Sequence, residues 1–152
     1  MSSDVGEKMD NQKYTIRREK DIVLLELRNE IDSSAGLAEL IELTESLLQA
    51  GEDKVIINLD KVTFVDSSAV GWLIRLKKQT NATGGDLKLV QAPEFVIRLL
   101  GILHLEKLLE IYGDEEAALD GFKVVCPSCS RKIERNDPFC RFCGHRMKAV
   151  EE

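Results

Sequence analysis

Lys54-Val-Ile-Ile-Asn-Leu-Asp-Lys-Val-Thr-Phe-Val-Asp-Ser-Ser-Ala-Val-Gly71 is the stretch that decides the fold. Its first six residues form a short apolar run rich in β-branched side chains, the pattern of a strand buried inside a sheet. Asp60 to Val65 leads the chain into the next element. Beyond it, Val70, Leu73, Ile74 and Lys77 recur at helical spacing, while Arg75, Lys77, Lys78 and Gln79 supply a polar face before the turn signal at Asn81 to Gly85. Residues 67–80 therefore read as an amphipathic helix with Asp66 as its N-cap. The Asp66 carboxylate can accept from the unpaired N–H groups of the first turn, and Val65 and Val70 occupy the two positions of a hydrophobic staple. Ser67 and Ser68 then place two hydroxyls at the positive end of a helix dipole, where an added phosphate is electrostatically tolerated. Ser and Asp are also common as plain helix caps, so the residues alone leave both roles open.

Working outward, Tyr14–Arg18 and Ile22–Arg28 read as two strands around a turn at Glu19-Lys-Asp21. Leu37, Leu40, Ile41, Thr44, Leu47 and Leu48 mark one face of a helix from about Ser34 to Ala50, capped by Asp32 or Ser33 and stopped by Gly51. Leu87–Gln91 is a further short strand. Pro93 suits the first turn of a helix reaching about Leu100, Lys107–Tyr112 a last strand, and Asp114–Leu119 a short acidic helix. Strands alternate with helices after two consecutive strands, which predicts an α/β fold with a mixed sheet carrying packed helices. Residues 1–12 are polar without periodicity and are expected to form a flexible N-terminal arm.

The 152 residues suffice for one compact domain and a small appendage. Residues 1–121 carry 14 Lys/Arg against 23 Asp/Glu, a balance of −9, whereas residues 122–152 carry 7 against 4, a balance of +3. An acidic body argues against nucleic acid as its partner; the basic tail leaves that open locally. No apolar stretch approaches the roughly 20 residues of a membrane span, and the charged start lacks a signal-peptide core. A cytoplasmic protein is expected.

The element order, with Asn29-Glu-Ile-Asp32 before the first long helix and Val62-Thr-Phe-Val-Asp-Ser-Ser-Ala-Val-Gly71 before the second, resembles the STAS domain of the bacterial anti-sigma factor antagonists over roughly residues 13–121. The resemblance implies a regulator rather than an enzyme. It implies binding to an anti-sigma factor with serine kinase activity, release of the sigma factor, and dissociation once the serine after the aspartate is phosphorylated. By position Ser67 is the phosphoacceptor, with Ser68 the second choice; Asp32, Asp66, Ser67, Ser68 and Ala69 fall on the implied partner-binding surface. Two positions depart from the pattern, which often has Gly at residues 29 and 69. Asn29 tolerates positive φ, and Ala69 is expected to put a methyl beside the acceptor. The alternative within the same resemblance is a non-phosphorylated adaptor subunit of a signalling or lipid-transport complex.

Catalytic equipment is not evident. Gly84-Gly85 lacks the Lys-Ser/Thr ending of a P-loop, so ATP is expected to arrive with the partner, and His104 and His145 sit in no recognisable catalytic motif.

All four cysteines lie in the last quarter as Cys126-Pro-Ser-Cys129 and Cys140-Arg-Phe-Cys143-Gly144, ten residues apart. Two C-x-x-C units aim four thiolates at one tetrahedral ion, so Cys126, Cys129, Cys140 and Cys143 predict a single structural Zn2+. The segment resembles a compact zinc ribbon. With only Ile133, Phe139 and Phe142 to bury, it needs the metal to fold. Residues 122–152 are thus read as a zinc ribbon and tail. Arg131, Lys132, Arg135, Arg141, Arg146 and Lys148 could touch nucleic acid, although docking of a further protein is favoured.

Overall fold

A computed structural model of the chain describes residues 9–10, 14–33, 36–133 and 138–146. The body is one six-stranded mixed sheet in the order β1-β2-β3-β4-β5-β6. β1 (Met9–Asp10), β2 (Tyr14–Glu19) and β3 (Ile22–Ile31) are antiparallel neighbours; β4 (Lys54–Val65), β5 (Asp86–Val90) and β6 (Ile111–Tyr112) add in parallel. The three parallel additions need crossovers, supplied by α1 (Leu37–Gln49), α2 (Ser67–Ala82) and α3 (Glu94–Ile102). A short α4 (Glu115–Asp120) follows.

Alternation along the central strands builds two cores. Val23, Leu25, Leu27, Val55, Ile57, Leu87 and Leu89 face α1, α2 and α3, meeting Leu40, Leu47, Val70, Trp72, Leu73, Leu76, Val96 and Leu100. The intervening Ile22, Leu24, Ile56 and Val90 face the other way, against Ala118 of α4 and Phe122. Strands buried on both faces explain why 54–59 reads as a continuous apolar run. Phe122, assigned by sequence to the tail, is only 5% exposed and belongs to this second core.

Several boundaries differ from the sequence reading. Met9–Asp10, expected within the flexible arm, pair with Ile16 and Thr15. β4 does not stop at Leu59 but runs to Val65, accommodated by two irregularities opposite β3, between Glu26 and Arg28 and between Asn29 and Glu30. The Asn58 side chain supports the first: its Oδ1 accepts the Asp60 N–H at 2.8 Å. Asn29, at the second, has φ 65°, the left-handed conformation that Asn accepts. α1 starts at Leu37 with Gly36 at φ 81° as its N-cap and no side-chain bond, so neither Asp32 nor Ser33 caps it; Ser34 lies outside the described residues. Gly51, at φ 85°, ends α1 as expected: its N–H reaches Leu48 O at 3.0 Å and that of Glu52 reaches Leu47 O at 2.8 Å. Pro93 is the N-cap of α3 rather than part of its first turn. The last strand of the main sheet is only Ile111–Tyr112, with residues 107–110 turn and irregular chain.

Lys77, expected on the polar face of α2, is buried. Its Nζ lies 2.5 Å from Asp86 Oδ1 and 3.3 Å from Leu87 O. Lys88 is buried as well, contacting Asp86 at 3.0 Å and Glu110 at 2.7 Å beneath the rings of Tyr112 and Phe122.

The C-terminal segment forms a hairpin of β7 (Val124–Val125) and β8 (Lys132–Ile133), followed by a bridge between Phe139 and Arg146. An ion pair of Lys132 with Asp120 joins it to the end of α4. Arg135 and Lys148 lie outside the described residues.

Candidate functional site

The parallel pairing of β3 with β4 sets the site. Ile31 is in register with Val65, so the next residue on each strand, Asp32 and Asp66, emerges at the same carboxyl-terminal edge of the sheet. Such edges, where strands feed helices, are where open α/β sheets place functional groups.

Asp66 has extended backbone (φ −106°, ψ −177°) and is the N-cap of α2, as expected from sequence: its Oδ1 accepts the Ala69 N–H at 2.9 Å. Its other oxygen accepts the Ser33 N–H at 3.1 Å. Those two N–H groups, Ala69 first, hold the carboxyl below its usual range. Asp66 thus ties the loop after β3 to the head of α2. Val65 and Val70, the staple positions, are both buried in the main core.

Ser67 and Ser68 are the first two residues of α2 and both are exposed. Asp32 and Asp66 are half-buried beside them. Ala69 is fully buried, so its methyl faces the core instead of crowding the Ser67 hydroxyl. Of the five residues expected on a partner surface, Asp32, Asp66, Ser67 and Ser68 are accessible, whereas Ala69 is buried and its N–H is taken up by Asp66. Phe64, two residues before Asp66 and paired with Glu30, is 47% exposed on the same strand end, a feature the sequence reading did not single out.

The second centre is the cysteine cluster. One sulfur from each of Cys126, Cys129, Cys140 and Cys143 lies within 4.8 Å of all the others, with Cys126–Cys143 at 3.7 Å and Cys129–Cys140 at 3.6 Å. Sulfurs about 2.3 Å from a tetrahedral ion stand about 3.8 Å apart, so the four residues fit one metal ion. The two turns are built alike. The N–H groups of Ser128 and Phe142 point at the sulfurs of Cys126 and Cys140, each at 3.4 Å. Ser130 N–H reaches Cys126 O at 2.8 Å and Gly144 N–H reaches Cys140 O at 2.9 Å. Ser130 (φ 67°) and Gly144 (φ 82°) supply the left-handed residue each turn requires. Burial opposes ionisation of Cys140, yet the Cys143 and Phe142 N–H groups outweigh it and lower this thiol to about 6. The Arg131 N–H favours the Cys129 thiolate, but burial and the three neighbouring sulfurs push that thiol to about 11. Four such sulfurs ionise together only around a cation. The ion would be held by protein on all sides, a structural arrangement with no open position.

The described body is a mixed sheet with three helices on one face, with a serine pair and its capping aspartate at the head of α2. The chain belongs to the STAS domain family, whose model matches residues 13–118. It is 24% identical over 115 residues to the anti-sigma F factor antagonist of Paenibacillus polymyxa, a match covering 76% of this chain and 98% of that protein. Among solved structures it resembles the anti-sigma factor antagonist SpoIIAA in its unphosphorylated form, with 19% identity, a TM-score of 0.59, and 71% and 96% of the two chains covered. The Bacillus cell fate determinant SpoIIAA in its phosphorylated form matches at 20% identity and the same TM-score, covering 71% and 97%. Among the described residues no helix is long and apolar enough to cross a membrane.

Proposed function

We propose that this chain is an anti-sigma factor antagonist that acts in the cytoplasm by reversible protein binding, switched at Ser67. The single observation that carries the reading is the exposed Ser67 hydroxyl at the first position of α2, next to an aspartate fixed by two backbone N–H groups. The unphosphorylated protein docks a serine-kinase anti-sigma factor through Asp32, Asp66, Ser67 and Ser68. In the complex a bond forms between Ser67 Oγ and the γ-phosphorus of partner-bound ATP as the bond to ADP breaks; the hydroxyl proton passes to a base on the partner. The product carries roughly −1.5 to −2 further charges beside Asp32 and Asp66. The helix N-terminus tolerates them, while like-charge repulsion across the docked surface drives release. The family membership and the antagonist relatives support this reading. The ribbon carries one structural Zn2+ on its four cysteines.

The test is intact-mass analysis of protein isolated from its host, followed by peptide mapping. A species heavier by about 80 Da on the peptide holding Ser67 is expected, and Ser67→Asp protein should capture less kinase from host lysate than Ser67→Ala protein. Equal capture by the two variants with no heavier species would leave the non-phosphorylated adaptor as the reading.

A further inference from the structure

The ribbon displays its rings instead of burying them. Of the three apolar residues expected to form its interior, only Ile133 is buried, while Phe139 and Phe142 stand 54% and 52% exposed. Each ring has an arginine beside it. Arg131 lies over the Phe142 ring, its guanidinium carbon 4.8 Å from the centroid. Phe139 stands directly opposite Arg146 in an antiparallel bridge, which sends both side chains off the same face. Arg141, adjacent to Phe142, is exposed, as are Arg131 and Arg146. Among the described residues from 123 onward there is no carboxylate, against five cations: Lys123, Arg131, Lys132, Arg141 and Arg146. Asp120, at the end of α4, is already engaged by Lys132. The metal centre offsets only part of this charge, and the sulfurs of Cys126 and Cys140 are buried beneath it.

From this local pairing of rings with arginines we infer that the ribbon binds single-stranded nucleic acid, unpaired bases stacking on Phe139 and Phe142 while Arg131, Arg141 and Arg146 take phosphates. A ring that is half in water offers a flat apolar face to any base, and a guanidinium beside it offers a fork that matches a phosphate. Arg131 covers one face of Phe142 and holds the ring in place, leaving the other face for a base. A duplex fits less well: its bases are already stacked, and the described ribbon has no helix to enter a groove. An acidic protein would match the arginines but leaves the ring faces without a planar partner. An anionic membrane is an extended negative plane, and it would press against a body that itself carries −9. A single strand is narrow and flexible enough to touch the ribbon while bending away from that body. The whole chain is at −6, so general electrostatic attraction does not bring a polyanion to it, and the contact depends on the ring and arginine arrangement of the ribbon. The inference is independent of the switch at Ser67.

Fluorescence anisotropy of labelled oligothymidylate and oligouridylate, each of about 12 nucleotides, titrated with the full-length, zinc-loaded protein tests this. Binding of at least one strand is expected, and the tighter of the two tells whether DNA or RNA is preferred. The logarithm of the affinity should fall with the logarithm of salt at a slope of about −2, as for three phosphate contacts on a single strand. Phe139→Ala and Phe142→Ala are each expected to weaken binding about tenfold with that slope unchanged, because they remove stacking and no charge. Phe142→Leu keeps apolar bulk without a ring and should weaken binding similarly, and retention of the bound zinc by each variant reports an intact ribbon. Arg141→Ala and Arg146→Ala should each make the slope shallower by about 0.7. Failure of both strands to bind overturns the inference, as does binding that the zinc-retaining phenylalanine variants leave unchanged. Equal binding of a duplex of the same length, or equal competition by polyglutamate of the same charge, overturns it too, since neither offers an unpaired base. Capture by phosphatidylserine vesicles in place of either strand marks the rings as a lipid contact and likewise overturns it.

Discussion

The Ser33 N–H and the Asp66 carboxylate are joined at 3.1 Å across 33 residues of sequence. This bond makes the N-cap of α2 also the latch of the loop after β3, so the acidic and serine sides of the site move as one unit. Asp66→Ala should remove both functions, lowering the urea midpoint and loosening the Ser33 loop, while Asp66→Asn retains part of each. The folded-state carboxyl titrates below its ordinary 3.8. Its stabilising contribution is therefore complete above that value and disappears as pH falls through the depressed one. Hydrogen exchange at Ser33 and Ala69 checks the coupling: if the variant leaves the Ser33 amide as protected as in wild type, the latch is wrong.

Lys88 is predicted to stabilise the body through Asp86 and Glu110. Burial disfavours its charge, but the bonds to those carboxylates outweigh it and raise the ammonium above its ordinary 10.5. Burial likewise opposes ionisation of Asp86 and is outweighed by Lys77 and Lys88, whereas the Lys88 bond leads in lowering Glu110. Lys88→Met should cost about 2 kcal/mol, less than orphaning a buried charge completely, because Lys77 still holds Asp86. The signs follow from the shifts. The carboxylate contribution is present above 3.8 and 4.5 and lost as pH falls through the lowered values; the lysine contribution is present below 10.5 and lost as pH rises through the raised one. Urea unfolding of wild type and variant should diverge most between those limits and converge in acid.

Two glycines should respond in opposite directions to alanine. A Cβ on Gly85 would meet Asp53 O at 1.9 Å, backbone that cannot give way cheaply, so Gly85→Ala is expected to cost at least about 2 kcal/mol. Gly71, inside α2, has open space around that position, and Gly71→Ala should gain about 0.5–1 kcal/mol through the unfolded chain and helix propensity. Thermal melts of the two variants on either side of wild type would bear this out.

Metal removal is predicted to unfold the ribbon without unfolding the body. Among the described residues Cys126, Ile133 and Cys140 form its buried cluster, with Val124 and Cys129 partly buried against it, too little apolar surface to hold without the ion. Trp72, the single tryptophan, is buried 3.2 Å from Thr44 Oγ1 within the main core. Chelation should therefore release one equivalent of metal and abolish amide protection around Cys126–Ile133, with Trp72 emission unchanged. A shift of that emission on chelation would show that the two parts fold as one.

Local pattern made much of this molecule legible. The two-faced burial of 54–59, the Asp66 cap, the Gly51 stop and the paired C-x-x-C turns each follow from residues within a few positions of one another. What escaped involved partners far along the chain. Lys77 reads as a solvated helix residue until β5 brings Asp86 beneath it, and nothing adjacent to Lys88 in sequence shows that Phe122 and Tyr112 close over it. The cap of α1 was misplaced because a glycine at positive φ does by backbone conformation what Asp32 or Ser33 would do by side chain.

The sequence by itself determined the order of the main elements, the STAS architecture, the serine at the head of α2 and the four-cysteine cluster, because periodicity, capping and tight turns are encoded at short range. Only the tertiary structure decided that Ala69 turns inward, that Asp66 fastens Ser33 and that Phe122 belongs to the body. Those outcomes depend on which strands pair and in what register, and that is fixed by burial summed over the whole chain.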